Sequence, residues 1–205
     1  MIAAIILAAG RSTRMGSSKP LLQFDAASGQ TFVSRLVEVL HLAGFTEIHV
    51  VGRPDDGQLR AETVRCRATF TENPDPERGQ LSSLHTALSA LELQFGDTLD
   101  AMMVMPADAP LISSAAVRLL LQAASGSSAQ ILRATHDGHH GHPVLFRRST
   151  FAELRNADPN VGARAVVRAD PARVQNVEVG EEGVTIDFDT PDQYRRHFGK
   201  SPFIR

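Results

Sequence analysis

Six apolar residues in an unbroken run, Ile2-Ala3-Ala4-Ile5-Ile6-Leu7, give way at once to a loop of glycine, serine and cations, and this junction constrains the chain most. A strand without polar alternation has no face to offer water, so it belongs inside a parallel sheet covered by helices on both sides. The loop from Ala8 to Pro20 holds Gly10, Gly16, Arg11, Arg14 and Lys19 and follows neither helical nor strand periodicity.

The succession of strand, loop and helix then recurs. Val33, Leu36, Val37 and Leu40 fall on one helical face, with Gly44 just beyond as a C-terminal stop. Ile48 to Val51 reads as a second strand, and a polar stretch from Arg53 to Gln58 precedes an extended segment from Thr63 to Phe70. Leu81, Leu84, Leu88 and Leu91 repeat at helical spacing, and Ala101 to Met105 is a third buried strand. Ser113 or Ser114 can cap a helix running through Leu121. Gln130 to Ala134 and Pro143 to Phe146 read as further strands, and Thr190 before Pro191 starts a helix to Phe198. Ser125 to Ser128 is a loop, too short to serve as a linker between domains. This alternation predicts an α/β fold over residues 1–205 as a single domain, with a Rossmann-like, mainly parallel sheet between two helical layers. Ligands of such sheets sit beyond the carboxyl ends of the strands.

Composition narrows the partners. Twenty-one Lys and Arg against 23 Asp and Glu leave a net charge of -2, and with no Trp and one Tyr there is little to attract or stack nucleic acid. No apolar run approaches the ~20 residues that span a bilayer. Cys66 is the sole cysteine and no secretory leader pattern opens the chain, so the reducing cytoplasm is the expected compartment. A small-molecule enzyme is the working class.

Within the first loop, Gly10 and Gly16 allow close backbone approach, while Arg14 and Lys19 bring full positive charge to where phosphate oxygens would lie. The Walker and dinucleotide patterns are both absent, so the loop's physics suits a triphosphate without matching a generic motif. Asp108 follows a buried strand at the sheet's carboxyl edge, where a hard carboxylate can hold Mg2+ against phosphate oxygens. Asp187 and Asp189 alternate with Ile186 and Phe188, which on an extended strand puts both carboxylates on one face. Each also has an ordinary use, Asp108 and Asp189 as helix caps and Asn73 before Pro74 as a turn former.

The string LAAGRSTRMGSSKPLL resembles the signature loop of the MobA-like nucleotidyltransferases, and among them the molybdenum cofactor cytidylyltransferases most. Asn73-Pro74, Gly79 to Leu84, Pro106 to Pro110, Gly141 to Phe146 and Asp187 to Asp192 extend the resemblance in order along the chain. Ala109, where the family often has Gln or Met, and the His-rich approach to Gly141 depart from the pattern. The resemblance implies a fold of the nucleotide-diphospho-sugar transferase type and transfer of CMP from CTP to the phosphate of molybdopterin, with Mg2+ as cofactor and a molybdoenzyme or its chaperone as receiver. It places Leu7, Ala8, Ala9 and Gly10 on base and ribose, and Arg14 and Lys19 on the triphosphate, with Lys19 stabilising the transition state. Asn73, Gly79, Ser82 and Ser83 would complete the nucleotide site. Asp108, Asp187 and Asp189 would hold the metal, and Gly141, His142 and Pro143 would line the acceptor pocket. Ala9 favours CTP, since the guanylyl branch typically reads LAGG. A guanylyltransferase, or transfer to another phosphorylated acceptor, is the nearest rival.

Arg147, Arg148 and Arg164 are candidates for the acceptor's phosphate. His136-Asp137-Gly138-His139-His140-Gly141-His142 carries half the histidines, and as a flexible loop it could bind Zn2+ or Ni2+. A metal-binding or nucleotide-sensing protein is the reading outside catalysis.

Overall fold

In the computed structural model, residues 1–202 are described. In chain order the elements are β1 (Ile2–Leu7), β2 (Gln23–Asp25), β3 (Gln30–Thr31), α1 (Phe32–Leu42), β4 (Ile48–Gly52), α2 (Gly57–Arg65), β5 (Thr69–Glu72) and α3 (Gln80–Phe95). There follow β6 (Ala101–Pro106), α4 (Ser114–Ser125), β7 (Ile131–His136), β8 (His139–Arg147), α5 (Phe151–Arg155), α6 (Arg164–Ala169), β9 (Val174–Glu178) and α7 (Pro191–Phe198). Seven strands form one sheet in the order β5-β4-β1-β6-β8-β7-β9, in which β8 alone runs against its neighbours. The sheet is mainly parallel, as expected. The strict alternation fails at β7 and β8, an antiparallel hairpin inserted before the chain returns to the parallel edge strand β9.

β1 is buried on both faces because its alternate residues serve two cores. Ala4 and Ile6 pack with Val33, Leu36 and Leu40 of α1 and Leu120 of α4, whereas Ala3 and Ile5 pack with Leu84, Leu88 and Leu91 of α3. Its neighbour β6 divides likewise, with Met103 and Met105 on one side and Met102 and Val104 on the other. A smaller aromatic core joins Met15, Phe32, Phe188 and Tyr194 at one end of the sheet, and the Tyr194 hydroxyl donates to the carbonyl of Gln23 at 2.6 Å.

Several boundaries follow local signals. Thr190 and Gln193 form a reciprocal capping box at the start of α7, and Ser113 caps α4 by accepting from the amide of Ala116. Residues 63–70 are not one extended segment. The helix α2 occupies 57–65, capped by Asp56, and only 69–72 is strand. Leu59 and Thr63 are the buried residues of α2, too narrow a stripe to register as an apolar period. Nor is the histidine segment a flexible loop. Asp137 (φ 48°) and Gly138 (φ 76°) make a two-residue turn, for which Asp-Gly is a preferred pair because both positions need left-handed backbone.

Candidate active site

The carboxyl ends of β1 and β6 open into a cleft of about 610 Å3. Its floor is the first loop. Ala8 donates to the carbonyl of Val51 and Ala107 donates to that of Leu7, which pins the loop's start to the strand edge. Ser12 takes a left-handed backbone (φ 51°), its carbonyl accepts from Met15 and Gly16, and its hydroxyl accepts from the amide of Lys19 at 3.1 Å. The turn thus returns the chain so that Arg14 and Lys19 both reach the cleft, while Met15 is locked in the aromatic core. Gly10 has no need of glycine for its backbone, and a Cβ added there meets nothing within 4 Å. The open space beside it is cleft.

Lys19 sits between two carboxylates. Its Nζ donates to Asp108 Oδ2 at 2.9 Å and to Asp189 Oδ1 at 2.5 Å, and Arg14 reaches the other Asp189 oxygen at 2.9 Å. Burial works against the ammonium, whose side chain is 13% exposed, but the hydrogen bonds it donates to Asp189 and Asp108 outweigh that and hold its pKa above the ordinary lysine value. The bond to Lys19 holds Asp189 below the usual carboxylate range. Asp187 goes the other way, raised by partial burial and by the charges of Asp108 and Asp189. Three carboxylates therefore meet two cations at this end, and Asp187 carries the uncompensated charge.

The 187–189 segment is irregular rather than a strand, so the shared face of Asp187 and Asp189 has another cause. Phe188 is buried against Phe32 and Phe198, and its amide donates to the carbonyl of Asp108 at 2.9 Å. The anchored ring fixes the aspartates on either side of it at the cleft rim, and the backbone bond ties them to Asp108.

On the opposite wall, Gly79, Gln80 and Ser83 at the start of α3 line the cleft. Gly79 (φ 85°) has no side chain to cap the helix, leaving first-turn N–H groups able to receive an anion. Asn73 and Ser82 lie behind this wall. The Asn73 amide donates to the hydroxyls of Ser82 and Ser83 at 2.9 and 3.0 Å and its carbonyl accepts from Asp75, so it braces the loop from 73 to 79 against α3. Arg11 also turns away from the cleft, paired with Glu77, which binds Arg53 as well.

The third wall is β8. Gly141 abuts the chain at Val184, where a Cβ would come within 2.1 Å of the Val184 carbonyl oxygen, so only glycine fits. His140, Gly141 and His142 line the cleft, while Pro143, joined to His142 by a cis peptide bond, is buried behind them. Burial lowers the His142 pKa to about 4, so the ring is neutral near pH 7, and its Nδ1 is buried without a hydrogen-bond partner. Of the three candidate arginines, Arg164 alone lines the cleft. Arg147 is spent on the carbonyls of Ala124, Ser127 and Ala129, and Arg148 on Gly96, Leu99 and Asp97. Ser12, Thr13, Gln80 and Thr185 also line the cleft, though only their place beside recognised residues in the sequence hints at it.

A divalent ion fits this donor set. An anion such as a triphosphate entering among Asp108, Asp187 and Asp189 would be repelled unless a further cation came with it. The three carboxylates do not close on one point, since Lys19 lies between two of them, so two carboxylates completed by phosphate oxygens and water describe the site better than a prebuilt cage.

A family model, the MobA-like NTP transferase domain, matches residues 4–176. The bifunctional protein GlmU of Azorhizobium caulinodans is 32% identical over 108 residues, 53% of this chain and 23% of that protein. The chain spans between 23% and 33% of the length of the curated relatives it matches. Among solved structures, Rv0371c from Mycobacterium tuberculosis H37Rv superposes with a TM-score of 0.80 at 25% identity, covering 98% of this chain and 99% of that one. The CMP:2-keto-3-deoxy-manno-octonic acid synthetase complexed with CTP shares the fold at a TM-score of 0.71 and 16% identity, with 97% of each chain covered.

Proposed function

This chain belongs to the MobA-like NTP transferase domain family, and on that premise we propose that its cleft transfers CMP from CTP to the phosphate of a molybdopterin-type acceptor and releases pyrophosphate. The observation that carries the reading is Lys19, a largely buried ammonium bonded to two carboxylates at the end of the first loop. Ala9 in the LAAG string favours cytosine, and the fold is one in which a structural neighbour holds CTP.

In the transfer, an oxygen of the acceptor phosphate forms a bond to the α-phosphorus of CTP as the bond to the β-phosphate breaks, and pyrophosphate takes the leaving electron pair. A phosphate monoester has its second pKa near ~6, so the nucleophile needs no strong base at neutral pH. The cost lies in charge, and charge is what this cleft manages. Ala8 to Gly10 give the nucleotide a close backbone floor, and the first turn of α3 offers N–H groups opposite. Lys19 and Arg14 exchange the aspartates for phosphate oxygens and meet the negative charge that builds on the leaving group. Asp108 with Asp187 or Asp189 would hold Mg2+, which when bound supplies Lewis-acid polarisation of the phosphate oxygens. Arg164 and the neutral His142 face the remaining wall, where a fixed cation and an unpartnered ring nitrogen suit the acceptor phosphate.

The test is pyrophosphate release by purified protein with Mg2+ and molybdenum cofactor, in parallel with CTP, GTP, ATP and UTP, the dinucleotide product being identified by mass. Release with CTP alone is the expected result. Release with GTP alone would overturn the base assignment, and silence with all four would overturn the acceptor.

A further inference from the structure

The β7–β8 hairpin ends in a group of ligating side chains that the cleft does not use. The Asp137-Gly138 turn sets His136 directly opposite His139, and β9 pairs alongside so that Glu178 arrives at the same corner. One ligating atom each from His136, Asp137 and Glu178 lies within 4.8 Å of the others, the one such group of three among the described residues.

We propose that this tip is a second cation site, for a divalent transition ion of the Zn2+ or Ni2+ class. Two independent observations point to an ion rather than to an ordinary polar surface. His136 Nδ1 is buried without a hydrogen-bond partner, although a carboxylate oxygen of Glu178 stands 3.5 Å away. That distance is too long for a hydrogen bond, yet it is the spacing of two ligands around a metal. Donors ~2.1 Å from a tetrahedral Zn2+ lie roughly 3.4 Å from each other. The second observation is the preparation of Glu178, whose Oε1 accepts from the amide of Gly180 at 3.2 Å. Such an outer hydrogen bond orients a ligating carboxylate. Asp137, exposed at the turn, holds an oxygen 3.6 Å from the other ring nitrogen, Nε2, and would swing to the ion as a third ligand, with water completing the set. Imidazole with carboxylate selects the transition series over Mg2+ or Ca2+. The strand β8 continues from His139 through His140 to His142 in the cleft wall, so an ion at the tip would tie β7, β8 and β9 together at the far end of that wall.

The experiment is a calorimetric titration of metal-stripped, tag-free full chain with Zn2+, and separately with Ni2+ and Mg2+. The expected result is saturation by Zn2+ at about one ion per chain with micromolar affinity, no saturation by Mg2+, and a rise in thermal midpoint on loading. Glu178→Gln, which keeps the side chain's shape, and His136→Ala should each weaken binding by at least tenfold, while Asp108→Asn should leave it unchanged. Co2+ in place of Zn2+ should give the intense visible absorption of a tetrahedral site. Failure of the wild-type chain to saturate, or equal uptake by Glu178→Gln and wild type, would overturn the proposal. Uptake abolished by Asp108→Asn alone would assign the ion to the cleft instead.

Discussion

Two groups of carboxylates, one at the cleft and one at the hairpin tip, stand in opposite relations to the cations around them. At the cleft, Asp108 and Asp189 share the ammonium of Lys19, and Asp189 also holds Arg14. At the hairpin tip, Asp137 and Glu178 face one imidazole and are hydrogen-bonded to neither of its nitrogens. A carboxylate group that already owns its cations has little attraction for a bare ion. It suits a ligand that brings both an anion for the lysine and a metal for the aspartates, and a nucleotide triphosphate with Mg2+ is such a ligand. A carboxylate pair around an imidazole lacks that internal compensation and can take an ion directly.

The largest effect should come from breaking the first group. Lys19→Ala and Asp108→Asn should each lower turnover by at least ~100-fold in a steady-state pyrophosphate assay, because the first removes the ammonium aimed at the reacting phosphates and the second a carboxylate that would hold Mg2+. Turnover within a few-fold of wild type in either variant would remove that residue from the mechanism. Next come two arginines that look alike in sequence. Arg147→Ala should cost about 3 kcal/mol of stability by orphaning three carbonyls, seen as a lower denaturation midpoint with unchanged turnover in the folded fraction. Arg164→Ala should leave stability alone and raise the KM for the acceptor by roughly tenfold. An exchange of these outcomes would reverse the two assignments.

The smallest effect is on acid stability. Because His142 stays neutral to about pH 4 in the fold but takes up its proton near pH ~6.5 when unfolded, the unfolded state binds more protons throughout that window. Stability must therefore fall as pH drops from about 6.5 towards 4, and His142→Asn should flatten that part of the curve relative to wild type. Parallel curves for the two proteins would show that the ring titrates freely.

How much of this is legible in the sequence depends on distance along the chain. β1, the cap of α4 by Ser113 and the capping box of α7 are set by neighbouring residues, and the string of letters displays them. The helix α2 escapes notice because its apolar stripe is so narrow, although Asp56 stands as a capping signal. The hairpin turn is likewise written as Asp-Gly, and the surrounding histidines draw attention to metals before backbone. At the site, Lys19 and Asp108 are legible as a motif, but their bond spans 89 residues and that to Asp189 spans 170, so no local pattern can show that the lysine already owns both aspartates. The carbonyls that occupy Arg147 also lie 18 to 23 residues earlier in the chain. Asp187 and Asp189 reach the cleft because Phe188 is anchored between them in the aromatic core, not because a strand alternates.

The most direct test of the contrast between the two groups is calorimetric titration of the wild-type chain with Mg2+ alone, CTP alone and the two together, repeated on Lys19→Ala. Mg2+ is a poor match for the imidazole tip, so the heats report on the cleft. The expected result is no saturable binding of Mg2+ alone to wild type at ~1 mM, saturable binding of the Mg2+ and CTP pair, and the appearance of Mg2+ binding without nucleotide once the lysine is gone. Saturable binding of Mg2+ alone to the wild-type chain, unchanged in Lys19→Ala, would contradict it.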